Sequence, residues 1–170
     1  MTLLYVAGFL ALGALAGRRA TLVYAAWMIV LLVTVVLLNR RVHFSTGVLI
    51  GLSVWGFLHM AGGLVPAGDG VLYGLWLLPF LRFDQVVHGF GFGVAGLAGR
   101  EALGAWLPGG APSGGAGAAV VIMAGLGLGA VNEVLEFLST LLIPETNVGG
   151  YENTGWTWWP TWLGRLSRRR

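Results

Sequence analysis

The chain has 170 residues, 56% of them hydrophobic and only 10% charged, with a net charge of +3 and a mean hydropathy of +0.80. A soluble domain carries about 25% charged residues, so a soluble globular chain and a disordered one are both excluded. There is no cysteine, which removes disulfides, thiolate metal sites and a cysteine nucleophile. All ten basic residues are arginine and four of them fall in the last six positions, so the positive charge is local and does not argue for nucleic acid.

A bilayer core about 30 Å thick needs about 20 apolar residues per spanning helix. In chain order, residues 2–17 form a short first candidate that ends at Arg18 and Arg19. Residues 20–38 form a second, closed by Asn39, Arg40 and Arg41, and residues 45–64 a third, interrupted only by His59. Residues 71–81 are too few to span and read as an interfacial or re-entrant piece. Residues 84–107 are a fourth candidate, residues 108–117 a Gly/Pro/Ser-rich loop, and residues 118–143 a fifth candidate. The runs are continuous and not alternating, so helices, not a barrel, satisfy the backbone in lipid. The expectation is an all-α polytopic helix bundle over 1–143 as a single domain. An interfacial tail over 144–170 follows, aromatic and then basic.

Arginine sets the orientation. With the N-terminus outside, Arg18, Arg19, Arg82 and the four tail arginines face the cytoplasm, against Arg40 and Arg41 outside. The positive-inside rule favours this arrangement in the plasma (inner) membrane of a prokaryote. Ala14-Leu15-Ala16 has the form of a cleavage site, but no basic n-region precedes it, so the first segment is expected to stay. Glycines at four-residue spacing (Gly47/Gly51, Gly89/Gly93, Gly125/Gly129) predict close helix packing. Gly91, Gly93 and Gly96 also match GxGxxG. Inside a hydrophobic helix, with no preceding strand, that match does not imply a nucleotide.

Ionisable residues within spanning helices are costly, and each is a candidate functional group. His59, Asp84, His88, Glu133 and Glu136 are five such groups. Helix three ends, helix four begins and helix five ends on one membrane face. His59 then lies about 7 Å deep and Glu136 about 10 Å, at 1.5 Å per residue. Asp84 and His88 are four residues apart and Glu133 and Glu136 three apart, so each pair shares a helix face. Two imidazoles and three carboxylates predict a divalent-metal site of the Zn, Mn or Fe type. Such a site fits hydrolysis of a lipid-like substrate by metal-bound water, with a spare carboxylate as base. The same carboxylates fit a proton- or ion-coupled carrier, and a scaffold without chemistry is the third reading. No residue is singled out as catalytic. His43, beside Arg40 and Arg41, and Arg100-Glu101 are expected at the opposite interface.

Three motifs carry a resemblance: His59-Met60-Ala61-Gly62-Gly63, Asp84-Gln85-Val86-Val87-His88, and Glu133-Val134-Leu135-Glu136-Phe137, followed by the tail from Asn147 to Trp156. Over residues 45–156 the chain resembles small bacterial and archaeal membrane proteins of the YjdF-like kind, and more loosely VanZ-like proteins. The resemblance implies a multi-helix membrane fold in which these polar residues matter, and it brings no activity with it. Such proteins tend to continue after the Gly-Trp with an acidic residue and a last apolar helix. Here Thr157 and then Trp158-Trp159-Pro160 follow, so the expectation is either that a sixth helix and one acidic ligand have been lost or that the reading frame has changed.

Overall fold

The computed structural model describes residues 2–15 and 20–142. Five helices dominate: α1 (Thr2–Leu15), α2 (Ala20–Val42), α3 (Thr46–Leu64), α4 (Phe83–Trp106) and α5 (Gly114–Leu142). Among the described residues, three stretches are long and apolar enough to cross a membrane: Tyr24–Val42, Thr46–Leu64 and Gly114–Val134. α4, with 24 residues, is about 36 Å long, but charge at both ends dilutes its apolarity. α1, with 14 residues, is about 21 Å long, less than a bilayer core. The expected tail over 144–170 lies outside the described residues.

Side-chain contacts fix the helix register. Tyr24 and Met28 of α2 fill the space beside Gly63 and Gly56 of α3, so the two helices are antiparallel. Val94 and Trp55 cross between α3 and α4 at Gly51 and Gly91, again antiparallel. α4 and α5 make the most extensive helix contact. There a Cβ on Gly96 would collide with the Val121 carbonyl, and one on Gly125 would lie 2.8 Å from the Phe92 carbonyl. Thr2 hydrogen-bonds Ser53 at 2.8 Å, which sets the start of α1 at mid-height on α3. The core gathers where α3 ends and α4 begins, around Met60, Leu64, Tyr73 and Val87, with Met28 and Val6 behind them.

Close packing here differs from the seams expected at four-residue spacing. Gly51, Gly125 and Gly129 do meet a neighbouring helix, but Gly47, Gly89 and Gly93 face open space. On α4 the close approaches fall on Gly91, Gly96 and Gly99, the face turned to α3 and α5. The Gly89/Gly93 pair lies elsewhere because spacing identifies a stripe but not which stripe has a neighbour. α5 also begins at Gly114, inside the expected 108–117 loop. Gly114 has φ +58°, and the Gly117 N–H donates to the Ser113 carbonyl at 3.2 Å, so the helix is entered early.

Residues 66–82, between α3 and α4, form two short hairpins and a 3-10 turn. β1 (Pro66–Ala67) pairs antiparallel with β2 (Gly70–Val71), a 3-10 turn follows at Leu72–Gly74, and β3 (Trp76–Leu78) pairs with β4 (Leu81–Arg82). At the far end of the bundle, Glu101 accepts from the Ser45 N–H (2.8 Å) and the Ser45 hydroxyl (2.7 Å), tying α4 to the start of α3. Arg100 donates there to the Pro112 carbonyl at 3.1 Å, and His43 turns the chain between α2 and α3 with φ +53°.

Gly96→Ala should destabilise the protein by about 1–3 kcal/mol, because the added methyl meets backbone that cannot step aside. Gly93→Ala should be neutral or slightly stabilising, by up to about 1 kcal/mol from helix propensity. Thermal unfolding of the two variants in the same detergent measures the difference.

Candidate functional site

Four elements bring polar side chains together at the inner end of the 65–82 segment. α4 supplies Asp84 and His88, one turn apart on one face. The His88 Nδ1–H donates to Asp84 Oδ1 at 2.8 Å and lies 3.0 Å from the Asp84 carbonyl. Both residues are buried, at 5% and 3% exposure. With Nδ1 holding the proton, Nε2 is the accepting nitrogen, and Asn132 Nδ2 of α5 approaches it at 3.4 Å. That distance is at the long end for an N–H donor, whose usual range ends near 3.2 Å.

α3 supplies His59. Its Nδ1 shares a hydrogen bond of 2.5 Å with the Tyr73 hydroxyl, which the 3-10 turn delivers. The Tyr73 ring stacks on His88, with centroids 6.0 Å apart and planes 24° apart. The two imidazoles meet edge to face at 6.2 Å. One tyrosine thus touches both histidines. Tyr24 and Trp55 close on His59 at 5.5 and 6.5 Å, and Phe92 covers His88 at 5.5 Å.

Small residues make this ring cluster possible. A Cβ on Gly62 would collide with the Tyr73 ring, one on Gly63 with the Tyr24 hydroxyl, and one on Gly91 with the Trp55 indole. The glycine pair of the His-x-x-Gly-Gly motif therefore gives the two tyrosines access to the histidine three and four residues before it.

His59, Asp84 and His88 stand in one cluster, and Asn132 brings α5 to it. Glu133, next to Asn132, is buried at 6% exposure. Glu136 is on the backbone of α5, and its side chain lies outside what is described. Among the described residues, no three His, Asp or Glu side chains are grouped to hold one metal ion. His43 is at the other end of α3, with Glu101 and Arg100. Arg82 is the residue just before α4. Its guanidinium lies 4.5 Å from the centroid of the Trp76 ring.

Sequence reasoning passed over Tyr73, Tyr24, Trp55 and Asn132. Asn132 had a usable signal, being a polar residue in an otherwise apolar spanning run. The aromatic residues had none, because their role depends on which glycine they face.

Asp84→Ala removes the carboxylate from a buried imidazole and should cost about 3–5 kcal/mol. His43→Ala, in the exposed turn, should stay within about 0.5 kcal/mol. Unfolding midpoints in one detergent at one pH separate the two.

The chain matches, over residues 1–161, the family described as "Predicted membrane protein (DUF2238)", and it belongs to that family. Neither the curated proteins nor the solved structures contain a significant match to it.

Proposed function

We propose that this family member is a multi-pass membrane protein whose buried Asp84–His88–Asn132 chain takes up and releases protons, coupling them to movement of a solute or ion. The observation that carries this reading is the chain itself. A carboxylate, an imidazole and an amide from two helices are linked by hydrogen bonds within an apolar bundle. In lipid, such groups are retained at a cost and characteristically serve as relays. Tyr73 and His59 extend the same path toward α3, and the buried Glu133 supplies a second carboxylate on α5. Protonation of His88 at Nε2 keeps the Asp84 contact and turns it into an ion pair, while the Asn132 amide turns its Oδ1 to accept from the new N–H.

In this reading α1 is a short first crossing, α2, α3 and α5 cross the bilayer, and α4 crosses between α3 and α5, which it touches on both sides. The cluster faces the cytoplasmic half of a prokaryotic plasma membrane, with the N-terminus outside. That placement puts seven of the ten arginines inside. A C-terminal reporter should be active in the cytoplasm; activity only outside would reverse the orientation.

Purified protein in vesicles carrying an internal pH-sensitive dye should dissipate an imposed pH gradient. His88→Ala and Asp84→Asn should reduce that flux to the level of protein-free vesicles. Flux that is equal in all three proteins, or absent from the wild type, would overturn the reading and leave a scaffold.

One observation favours a second reading. A carboxylate on Nδ1 orients a histidine to present Nε2 to a metal, and that is how Asp84 holds His88. A divalent cation would then draw on His59, His88, Glu133 and Glu136, in support of hydrolysis of an amphiphilic substrate. Elemental analysis after chelator-free purification tests it. Stoichiometric Zn, Mn or Fe that is lost in Glu133→Ala and kept in His43→Ala would replace the proton reading with the metal one.

A further inference from the structure

The segment between α3 and α4 has two faces with opposite surroundings. Tyr73 turns inward to His59 and is buried, while residues 74–80 that follow it are all exposed. Five of these are large and apolar: Leu75, Trp76, Leu77, Leu78 and Phe80, each 43–52% exposed. A strand alternates its side chains between two faces, so a hairpin resting on a protein core hides one of them. β3 hides neither, because Trp76, Leu77 and Leu78 are exposed in succession. The companion hairpin is different in kind: β1 and β2 are joined through Gly68 and Asp69, with no large apolar tip.

Contiguous apolar exposure of this kind marks a surface that meets something other than water. Three observations point to lipid. The hairpin lies between α3, which has the length and apolarity of a membrane span, and α4. The exposed apolar row continues onto α4 at Val86 and Phe90. At the root of the hairpin, the Arg82 guanidinium sits over the Trp76 ring, the pairing of residue types favoured at the headgroup layer. Size agrees as well. Three strand residues reach about 10 Å, and apolar elements seated in the interface enter by about 5–10 Å.

We propose that the β3–β4 hairpin is a lipid-seated strap. The apolar side chains of residues 75–80 lie at the headgroup–acyl boundary of the leaflet nearest the buried cluster, with Trp76 and Arg82 at headgroup level. The same segment presents Tyr73 to His59, so lipid seating holds one wall of the cluster in place. This inference requires membrane insertion and is independent of whether the cluster moves protons or holds a cation.

The chain has no cysteine, so single-cysteine labelling needs no background substitutions. Leu77→Cys and Leu78→Cys are labelled with an environment-sensitive fluorophore in the full chain, reconstituted into phosphatidylcholine–phosphatidylglycerol vesicles. Both probes should be quenched by lipids carrying a nitroxide near the headgroup and shielded from aqueous iodide. A probe at Asp69→Cys should show the reverse. Iodide quenching at 77 and 78 equal to that at 69 would overturn the proposal. It would also fall if the probes were shielded from iodide but untouched by nitroxide lipids. Disulfide cross-linking between two Leu77→Cys chains would then identify a second copy as the occupant.

Discussion

Lipid tails offer no hydrogen bonds, so a carboxylate and an imidazole carried into an apolar bundle must satisfy each other or find backbone. Asp84 and His88 do both, through a 2.8 Å side-chain contact and a 3.0 Å approach to the Asp84 carbonyl. Their four-residue spacing makes this possible without distorting α4. The consequences spread outward. With its Nδ1 committed, the imidazole ring has a fixed plane, and that plane gives Tyr73 a surface to stack on and Phe92 an edge to cover. Tyr73 in turn sets His59, and the 3-10 turn that carries it sets where the two hairpins leave the bundle.

Bulk has to be removed somewhere to let these rings in, and it is removed from the helix backbones. Gly62, Gly63 and Gly91 each occupy a position where a methyl group would strike an aromatic ring or its hydroxyl. Helix association in lipid gains little from the hydrophobic effect and depends on contact, so a glycine beneath a large ring is an efficient unit of packing. Between α4 and α5 the same device serves backbone against backbone, at Gly96 and Gly125. The bundle therefore uses glycine in two ways, for helix approach on α5 and for ring seating around the histidines.

Much of this was legible in the residues. Uninterrupted apolar runs located α2 and α3, and the charges bounding them placed their ends within a few residues. The intramembrane cost of charge singled out His59, Asp84, His88, Glu133 and Glu136. Of these, His59 and Asp84 each contact His88, Glu133 is buried beside Asn132, and the Glu136 side chain lies outside the described residues. The parts that could not be read share a cause: each depends on which neighbour faces a residue. Periodicity proposed Gly89/Gly93 as a seam, but α4 turns Gly91 and Gly96 to its partners. Residues 71–81 were too short to span, yet nothing in their composition announced a turn and a hairpin with Tyr73 aimed inward. The start of α5 was hidden because Gly, Pro and Ser signal a loop, whereas Gly114 serves as the left-handed entry to the helix.

The two ends of the bundle are held by chemically different means, and the difference bears on function. At the far end, Glu101 takes two short hydrogen bonds from Ser45, and Asn39 accepts from the Phe44 N–H at 2.8 Å, in exposed or half-buried surroundings. Water can replace each of these contacts at small net cost, so that end is a clasp with no stored constraint. At the near end the Asp84–His88 contact is buried, so removing either partner strands the other. The 3.4 Å approach of Asn132 to His88 Nε2 belongs to that end. Because Asn132 belongs to α5 and His88 to α4, the contact ties the imidazole to how those two helices sit against each other.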